Sequence, residues 1–171
     1  QSLETGKDLV INDKSMQSEF YGQLGEAYFG MEQYTEGKSS YEMALNFNQN
    51  STLNLNNFAY RLAVANIDLD RAEELIKKAN QISPNQPHFL DTYGWILFQQ
   101  KNYLEAKKYF EKAFERSSQD AEIVEHLGDV NFQIGAIEEA LALWLKAKEL
   151  GSLNPVLNDK IENKTYYAPK H

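Results

Sequence analysis

The chain has 171 residues, of which 42% are hydrophobic and 25% charged, and its mean hydropathy is -0.59. These values are typical of a globular domain and argue against a disordered or membrane-spanning chain, since no apolar run approaches the roughly 20 residues that a spanning helix needs. The net charge of -8 argues against a nucleic-acid backbone or an anionic membrane as the main partner, and the lack of cysteine excludes disulfide bonds and thiolate metal sites.

The predicted elements follow a period of 34 or 35 residues, marked first by the small residues Gly25, Ala59, Gly94 and Gly128. A second series follows each of them, made of a small residue, a large residue and an alanine: Gly37, Tyr41 and Ala44; Ala72, Ile76 and Ala79; Ala106, Phe110 and Ala113; Ala140, Trp144 and Ala147. Small residues let two helices approach closely, and the large residues fill the space between them. Each repeat is therefore predicted to contain two helices.

The period divides the chain, in order, into residues 1–17, four full repeats at 18–51, 52–86, 87–120 and 121–154, and a final segment at 155–171. We expect residues 1–17 to be the second-helix remnant of a preceding repeat. The chain begins at Gln1 and in mid-repeat, so we expect it to be a piece of a longer protein. Residues 155–164 can form a capping helix that turns Val156, Leu157 and Ile161 towards the last repeat, followed by a tail.

These columns resemble the tetratricopeptide repeat, whose signature is a large residue, then Leu-Gly and Tyr, and later Ala, Phe, Ala and a closing Pro. In the first repeat, Leu24-Gly25 and Tyr28 stand at these positions. Departures are few: Leu62, Leu97 and Asn131 replace Tyr, Pro84 is the one closing proline, and the turn at residues 65–70 carries one extra residue. The resemblance implies an all-α fold, a right-handed superhelical solenoid of helix-turn-helix repeats.

Shorter phrases at residues 55–60, 90–95 and 125–129, with a lysine-containing last helix before Tyr166-Tyr167, look like the C-terminal repeat region of larger bacterial proteins, many of them envelope-associated. This likeness favours the bacterial periplasm or cell envelope over the cytoplasm.

In tetratricopeptide proteins the first helix of each repeat lines a concave groove, and its second, fifth, ninth, twelfth and thirteenth positions commonly contact ligands. The twenty corresponding positions here include six acidic residues and no Lys or Arg. From them we predict a peptide-binding groove at Glu26, Asn56, Tyr60, Asp91, Trp95, Phe98, Glu122, Glu125, Asp129 and Phe132.

The missing basic residues argue against the acidic chaperone tails that some members of the family bind, because a carboxylate needs charge-assisted donors. We predict a protein or peptide partner that is basic or neutral, with apolar anchors. Two readings of the same residues stay open: the acids could form a merely solvated face, and neighbouring repeats could cover the aromatic rings.

The predicted function is a non-catalytic protein–protein interaction scaffold without cofactor. The alternative is a structural module that stacks within a larger envelope-associated protein and has no groove ligand. Self-association through the N-terminal half repeat is also expected. A third hypothesis places a divalent metal at Glu122, His126 and Asp129 on one helix face, but the sequence favours solvent exposure of His126 over catalysis.

Overall fold

A computed structural model of the chain describes residues 13–167, and within them it contains nine α-helices and no β-strand, which confirms the all-α fold class. The helices are α1 (Lys14–Gly30), α2 (Tyr34–Phe47), α3 (Thr52–Val64), α4 (Leu69–Ile82), α5 (Pro87–Gln99), α6 (Tyr103–Arg116), α7 (Ala121–Gln133), α8 (Ile137–Glu149) and α9 (Leu157–Asn163). None of these helices combines the length and apolar character needed to span a membrane.

The helices fall into two compact units. The N-terminal unit, Gln1–Pro84, contains α1 to α4, and the C-terminal unit, Asn85–His171, contains α5 to α9. In both units consecutive helices pair as hairpins, α1 with α2, α3 with α4, α5 with α6 and α7 with α8. The first and second helices of each repeat are thus direct neighbours.

Close approach within the hairpins depends on the small-residue column that the sequence shows. A Cβ atom added to Gly25 would lie 2.6 Å from the ring of Tyr41, and one added to Gly128 would lie 2.6 Å from the ring of Trp144. Both rings are fully buried. Real Cβ atoms do not come this close, so the glycines make room for the large residues of the partner helix, as predicted.

The turn between the two helices of each repeat contains a residue in the left-handed region. These residues are Glu32, Asn66, Lys101 and Gly135, with φ between 52° and 87°. In the second repeat Asp68 also has a positive φ, 49°, and directly precedes α4. The extra residue of that repeat therefore lies in the turn and leaves both helices intact.

α1 begins earlier than the sequence predicts. It starts at Lys14, within the stretch assigned to a preceding repeat, because the side chain of Asp13 accepts hydrogen bonds from two backbone N–H groups of the first turn. Such an N-cap satisfies donors that have no partner inside the helix. The remainder of the predicted half repeat, residues 1–12, lies outside the described residues.

α9 closes the C-terminal unit. It contacts α8, and Leu157 is buried in a cluster with Val124 and Trp144, while Ile161 packs against the same cluster. The preceding Val156 is also buried. The helix therefore turns towards the last repeat the apolar residues that the sequence indicates.

Candidate functional site

All ten residues of the predicted groove lie on first helices. The N-terminal unit holds Glu26 on α1 with Asn56 and Tyr60 on α3, and the C-terminal unit holds Asp91, Trp95 and Phe98 on α5 with Glu122, Glu125, Asp129 and Phe132 on α7. Their surroundings differ between the two units, as the following contacts show.

In the N-terminal unit, the carboxylate of Glu26 is paired inside the chain. Arg61 Nε donates a hydrogen bond to it over 2.9 Å, a second guanidinium nitrogen contacts its other oxygen, and the Tyr41 hydroxyl donates over 2.8 Å. Partial burial acts to raise the pKa of Glu26, but the hydrogen bonds from Arg61 and Tyr41 and the charge of Arg61 outweigh it, so the pKa is lowered. The negative charge of Glu26 is therefore neutralised by Arg61.

The α3 face of the N-terminal unit is more accessible. Asn56 and Tyr60 are half-buried, and Leu53 on the same helix is 63% exposed. The amide nitrogen of Asn56 donates to Asn57 over 3.3 Å, whereas its buried Oδ1 has no hydrogen-bond partner within residues 13–167. An apolar side chain, a tyrosine and an unsatisfied acceptor thus lie along one helix.

In the C-terminal unit, Asp91 and His126 form a buried pair. His126 Nδ1 lies 2.9 and 3.1 Å from the two carboxylate oxygens of Asp91, and Trp95 stacks on the imidazole with the ring centroids 4.3 Å apart. The expectation that His126 is solvent-exposed is wrong, since only 6% of it is accessible. It is buried because α7 packs against both α5 and α6.

Burial and charge act in opposite directions on this pair. Burial disfavours the imidazolium, but the charge and hydrogen bond of Asp91, with the charges of Glu122 and Asp129, raise the pKa of His126 to about 9. Burial also raises the pKa of Asp91 above its ordinary 3.8. The carboxylate of Asp91, which faces Nδ1, thus favours the protonated form of His126.

A second buried cluster joins α9 to α7. The ammonium group of Lys160, which is fully buried, donates to Glu125 Oε1 over 2.7 Å and to both oxygens of Asp129 over 2.7 and 2.8 Å. The indole N–H of Trp144 donates to Asp129 over 2.9 Å. One cation thus serves two carboxylates.

The two carboxylates respond differently to that cation. Burial raises the pKa of Glu125, but the charge and hydrogen bond of Lys160 and a 2.7 Å hydrogen bond from the Ser152 hydroxyl outweigh it, and the pKa is lowered. The amide of Asn154 also donates to Glu125. Burial raises the pKa of Asp129 to about 6 in spite of Lys160. Most polar atoms of this pocket are therefore satisfied inside the chain.

The predicted aromatic anchors of α5 are buried. Trp95 and Phe98 are 1% and 5% exposed, and their rings stack with centroids 4.9 Å apart. The ring of Tyr166, which follows α9 in the sequence, lies 5.6 Å from the ring of Phe98. The indole Nε1 of Trp95 has no hydrogen-bond partner among the described residues. On α7, the half-buried Phe132 stacks on Trp144 at 5.6 Å.

The metal hypothesis is not supported by this arrangement. Nδ1 of His126 faces Asp91 and the carboxylate of Asp129 faces Lys160, while Glu122 is exposed. Within residues 13–167 no three side chains of His, Asp or Glu converge in a way that could hold a metal ion. The structure therefore does not bring the three proposed ligands together.

The sequence analysis did not predict which basic residues pair with these acids. They stand at a constant offset of 35 residues from the acid: Arg61 from Glu26, His126 from Asp91 and Lys160 from Glu125. Because the repeat period is 34 or 35 residues, Arg61 and His126 lie on the following first helix, and Lys160 lies at the corresponding place on the capping helix α9. That offset is the signal in the sequence that could have found them.

Comparisons with known proteins agree with the repeat geometry. Two tetratricopeptide repeat family models match residues 18–51 and 87–120. A TPR repeat-containing protein of Pseudomonas aeruginosa is 37% identical over 75 residues, which are 44% of this chain and 12% of that protein. With its paired helices and constant period, this chain is a tetratricopeptide repeat protein. It spans about an eighth of the length of that relative.

Two solved structures share the fold. Pseudomonas aeruginosa PilF superposes with a TM-score of 0.75 at 22% identity, covering 88% of this chain and 68% of that one. The first TPR of Spaghetti (RPAP3), bound to an HSP90 peptide, superposes with a TM-score of 0.59 at 17% identity, covering 66% of this chain and 89% of that one. Both likenesses concern the fold alone.

Proposed function

We propose that this protein is a non-catalytic scaffold that binds a peptide or partner segment on the accessible parts of its first helices. The partner would be basic or neutral, with apolar anchors. The tetratricopeptide fold supports the general role, and a protein of similar fold, the first TPR of Spaghetti (RPAP3), was solved with an HSP90 peptide bound.

One observation carries the chemistry of this proposal. The first helices of the C-terminal unit already hold side chains of the kind proposed for the partner, because Lys160 sits between Glu125 and Asp129 and the ring of Tyr166 lies against Phe98. A lysine ammonium and an aromatic ring are thus groups that these positions can bind with charge-assisted hydrogen bonds and ring contacts.

Accessible groups for a partner are found in both units. In the N-terminal unit Leu53 and Tyr60 offer apolar contacts, since Glu26 is already paired with Arg61. In the C-terminal unit Glu122 is the exposed acid of the predicted set. We therefore expect contact through the Leu53–Tyr60 face in the N-terminal unit and, independently of it, attraction of a basic partner to Glu122 in the C-terminal unit.

The test is affinity capture with cross-linking from an extract of the source organism, comparing the wild type with a Leu53→Ala, Tyr60→Ala variant. Leu104→Ala is the matched control, because Leu104 is 71% exposed but lies on a second helix, α6. A partner lost only in the α3 variant would support the proposal. A partner lost equally in both variants, or retained in both, would contradict it.

A Glu122→Lys variant tests the charge preference separately, with Glu139→Lys as control, since Glu139 is an exposed acid on the second helix α8. Reversal at Glu122 should weaken binding of the captured partner and reduce the dependence of binding on salt. Equal affinity of both variants would count against a basic partner.

A structural module is the second candidate, favoured by apolar residues at the start of α1. Phe20 is 60% exposed and Met16 46%. Such a surface suits packing against another repeat, or self-association. Sedimentation at rising concentration should then reveal association of the wild type that Phe20→Gln, Met16→Gln abolishes. A wild type that stays monomeric would contradict self-association.

A further inference from the structure

The last described residues of the chain lie on the predicted partner-binding positions. We define the C-terminal segment as residues 157–167, which comprise α9 and the residues that follow it. Its Lys160 contacts Glu125 and Asp129, and its Tyr166 contacts Phe98. Three of the predicted groove residues of the C-terminal unit are therefore in contact with the chain's own end.

Charge complementarity explains why a lysine occupies this place. Glu125 and Asp129 are 4% and 0% exposed, and two such carboxylates in one buried pocket need a cation. Lys160 supplies it, and its ammonium also lies 5.3 Å from the ring centre of Tyr166. In the folded chain this site thus holds an ammonium group with an aromatic ring beside it.

The segment has features of an occupant that can be replaced. α9 has seven residues, fewer than an isolated helix needs to be stable, and it is followed by Lys164 in the left-handed conformation. The segment contacts the first helices through Lys160, Tyr166 and Leu157, the last of which packs in a cluster with Val124. Because so short a helix is not stable by itself, the position of the segment depends on these side-chain contacts.

The fit of the segment is also incomplete. Trp95, which is 1% exposed and stacks on Phe98, has an indole N–H without an acceptor in the described part of the chain. An unsatisfied buried donor costs free energy, whereas a bound peptide could offer a carbonyl oxygen to it. A partner segment can thus make a hydrogen bond that the C-terminal segment does not make.

We propose that the C-terminal segment is an intramolecular competitor for a partner peptide that places a lysine between Glu125 and Asp129 and an aromatic ring on Phe98. This inference rests on the proposed function. It names the chemistry of the partner and the segment of the chain that regulates binding of the partner. In the C-terminal segment the two groups are Lys160 and Tyr166, so the partner carries a lysine and an aromatic residue about six positions apart.

A binding assay in trans tests this directly. The probe is a fluorescent synthetic peptide with the sequence of residues 155–167, and the protein is the full chain. Tyr166→Ala removes the ring that contacts Phe98 and keeps Lys160, which pairs with Glu125 and Asp129. We expect this variant to bind the probe about tenfold more tightly than the wild type, because its face is free in a larger fraction of molecules.

Two controls separate specific from general effects. Lys164→Gln removes an exposed lysine of the same segment and should bind the probe as the wild type does. A probe in which the residue equivalent to Lys160 is glutamine should lose its binding. Helicity by circular dichroism must be the same for each protein compared.

Exchange of the segment can be observed without any destabilising change. The chain contains no cysteine, so Tyr167→Cys, at a position 38% exposed, gives one site for a spin label. Adding the unlabelled probe should raise the mobility of the label, and the glutamine probe should not. Equal affinity of the wild type and Tyr166→Ala, or a label that stays immobile at saturating probe, would overturn the inference.

Failure of this inference is distinguishable from failure of the proposed function, since the peptide assay needs no cellular partner. If the protein binds the probe but captures its partner equally well without Leu53 and Tyr60, the proposed function is contradicted and the competition is not. Capture that depends on Leu53 and Tyr60, with no probe binding, would overturn the competition alone.

Discussion

In the N-terminal unit, Glu26 and Arg61 keep 41% and 31% of their side chains exposed, whereas Asp91 and His126 in the C-terminal unit keep 8% each. Both pairs are separated by 35 residues and join neighbouring first helices. The repeat period thus puts acid and base side by side in both units. What packs over the pair then decides whether it is a solvated surface contact or a buried ion pair.

The largest expected effect is that of Lys160→Ala in the C-terminal unit. It leaves Glu125 and Asp129 buried without their cation, so we expect a loss of about 3–5 kcal/mol in the free energy of unfolding. Urea unfolding followed by circular dichroism measures this loss. Lys164→Ala, at an exposed lysine of the same segment, should change stability by less than about 0.5 kcal/mol. Similar losses in both variants would refute the burial argument.

The Asp91–His126 pair predicts a dependence on alkaline pH. The pKa of His126 is raised from 6.5 to about 9 in the folded state, so its contribution is complete below pH 6.5 and is lost as the pH rises through about 9. This difference corresponds to at most about 3 kcal/mol. Unfolding free energies measured between pH 6 and 9.5 should fall more steeply for the wild type than for His126→Gln. Parallel curves would show that the pair does not titrate in this range.

In the N-terminal unit, the Glu26–Arg61 pair predicts that stability depends on acidic pH instead. The pKa of Glu26 is lowered below its ordinary 4.5, so its contribution is present above that value and is lost as the pH falls through the lower, folded-state pKa. Glu26→Gln should therefore flatten the stability curve on the acid side only. A variant that also changed the slope above pH 7 would contradict this assignment.

Where the packing is the same in both units, substitutions should have the same effect. Gly25→Ala and Gly128→Ala each direct a Cβ atom to within 2.6 Å of a buried ring, and we expect each to cost about 1–3 kcal/mol. Gly30→Ala is the control, because nothing lies within 4 Å of its Cβ. Thermal unfolding measures all three. A cost confined to one unit would mean that the repeats do not pack alike.

The smallest effect is expected for Arg61→Ala. Glu26 and Arg61 are both partly exposed, so water can replace the lost partner and the cost should be about 0–1 kcal/mol, decreasing with added salt. A double-mutant cycle with Glu26→Gln isolates the pair. A coupling as large as that of the buried pair would remove the distinction between the two units.

The sequence was sufficient for the repeat architecture because its signal is local and recurs four times. Close contacts such as Gly25 with Tyr41 and Gly128 with Trp144 follow from residue size alone. The helical position of the candidate site residues also follows, since the family register assigns them to first helices. Those parts depend on spacing within one repeat.

The charge pairing and the burial of those residues could not be predicted in the same way. The twenty selected positions contain no Lys or Arg, yet Arg61 and Lys160 stand outside that set and neutralise Glu26 and Glu125. Burial of Asp129 depends further on α9, whose side-chain directions are not part of the repeat pattern. Pairing and burial arise from contacts between repeats, which a register within one repeat does not contain.

The chain has two tryptophans, Trp95 and Trp144, and both are buried in the C-terminal unit. Intrinsic tryptophan fluorescence is consequently a reporter of that unit alone, whereas far-ultraviolet circular dichroism reports the helices of both. Unfolding curves from the two probes coincide only if the array melts as one cooperative block, so an ordinary fluorometer can determine how far cooperativity extends along the repeats.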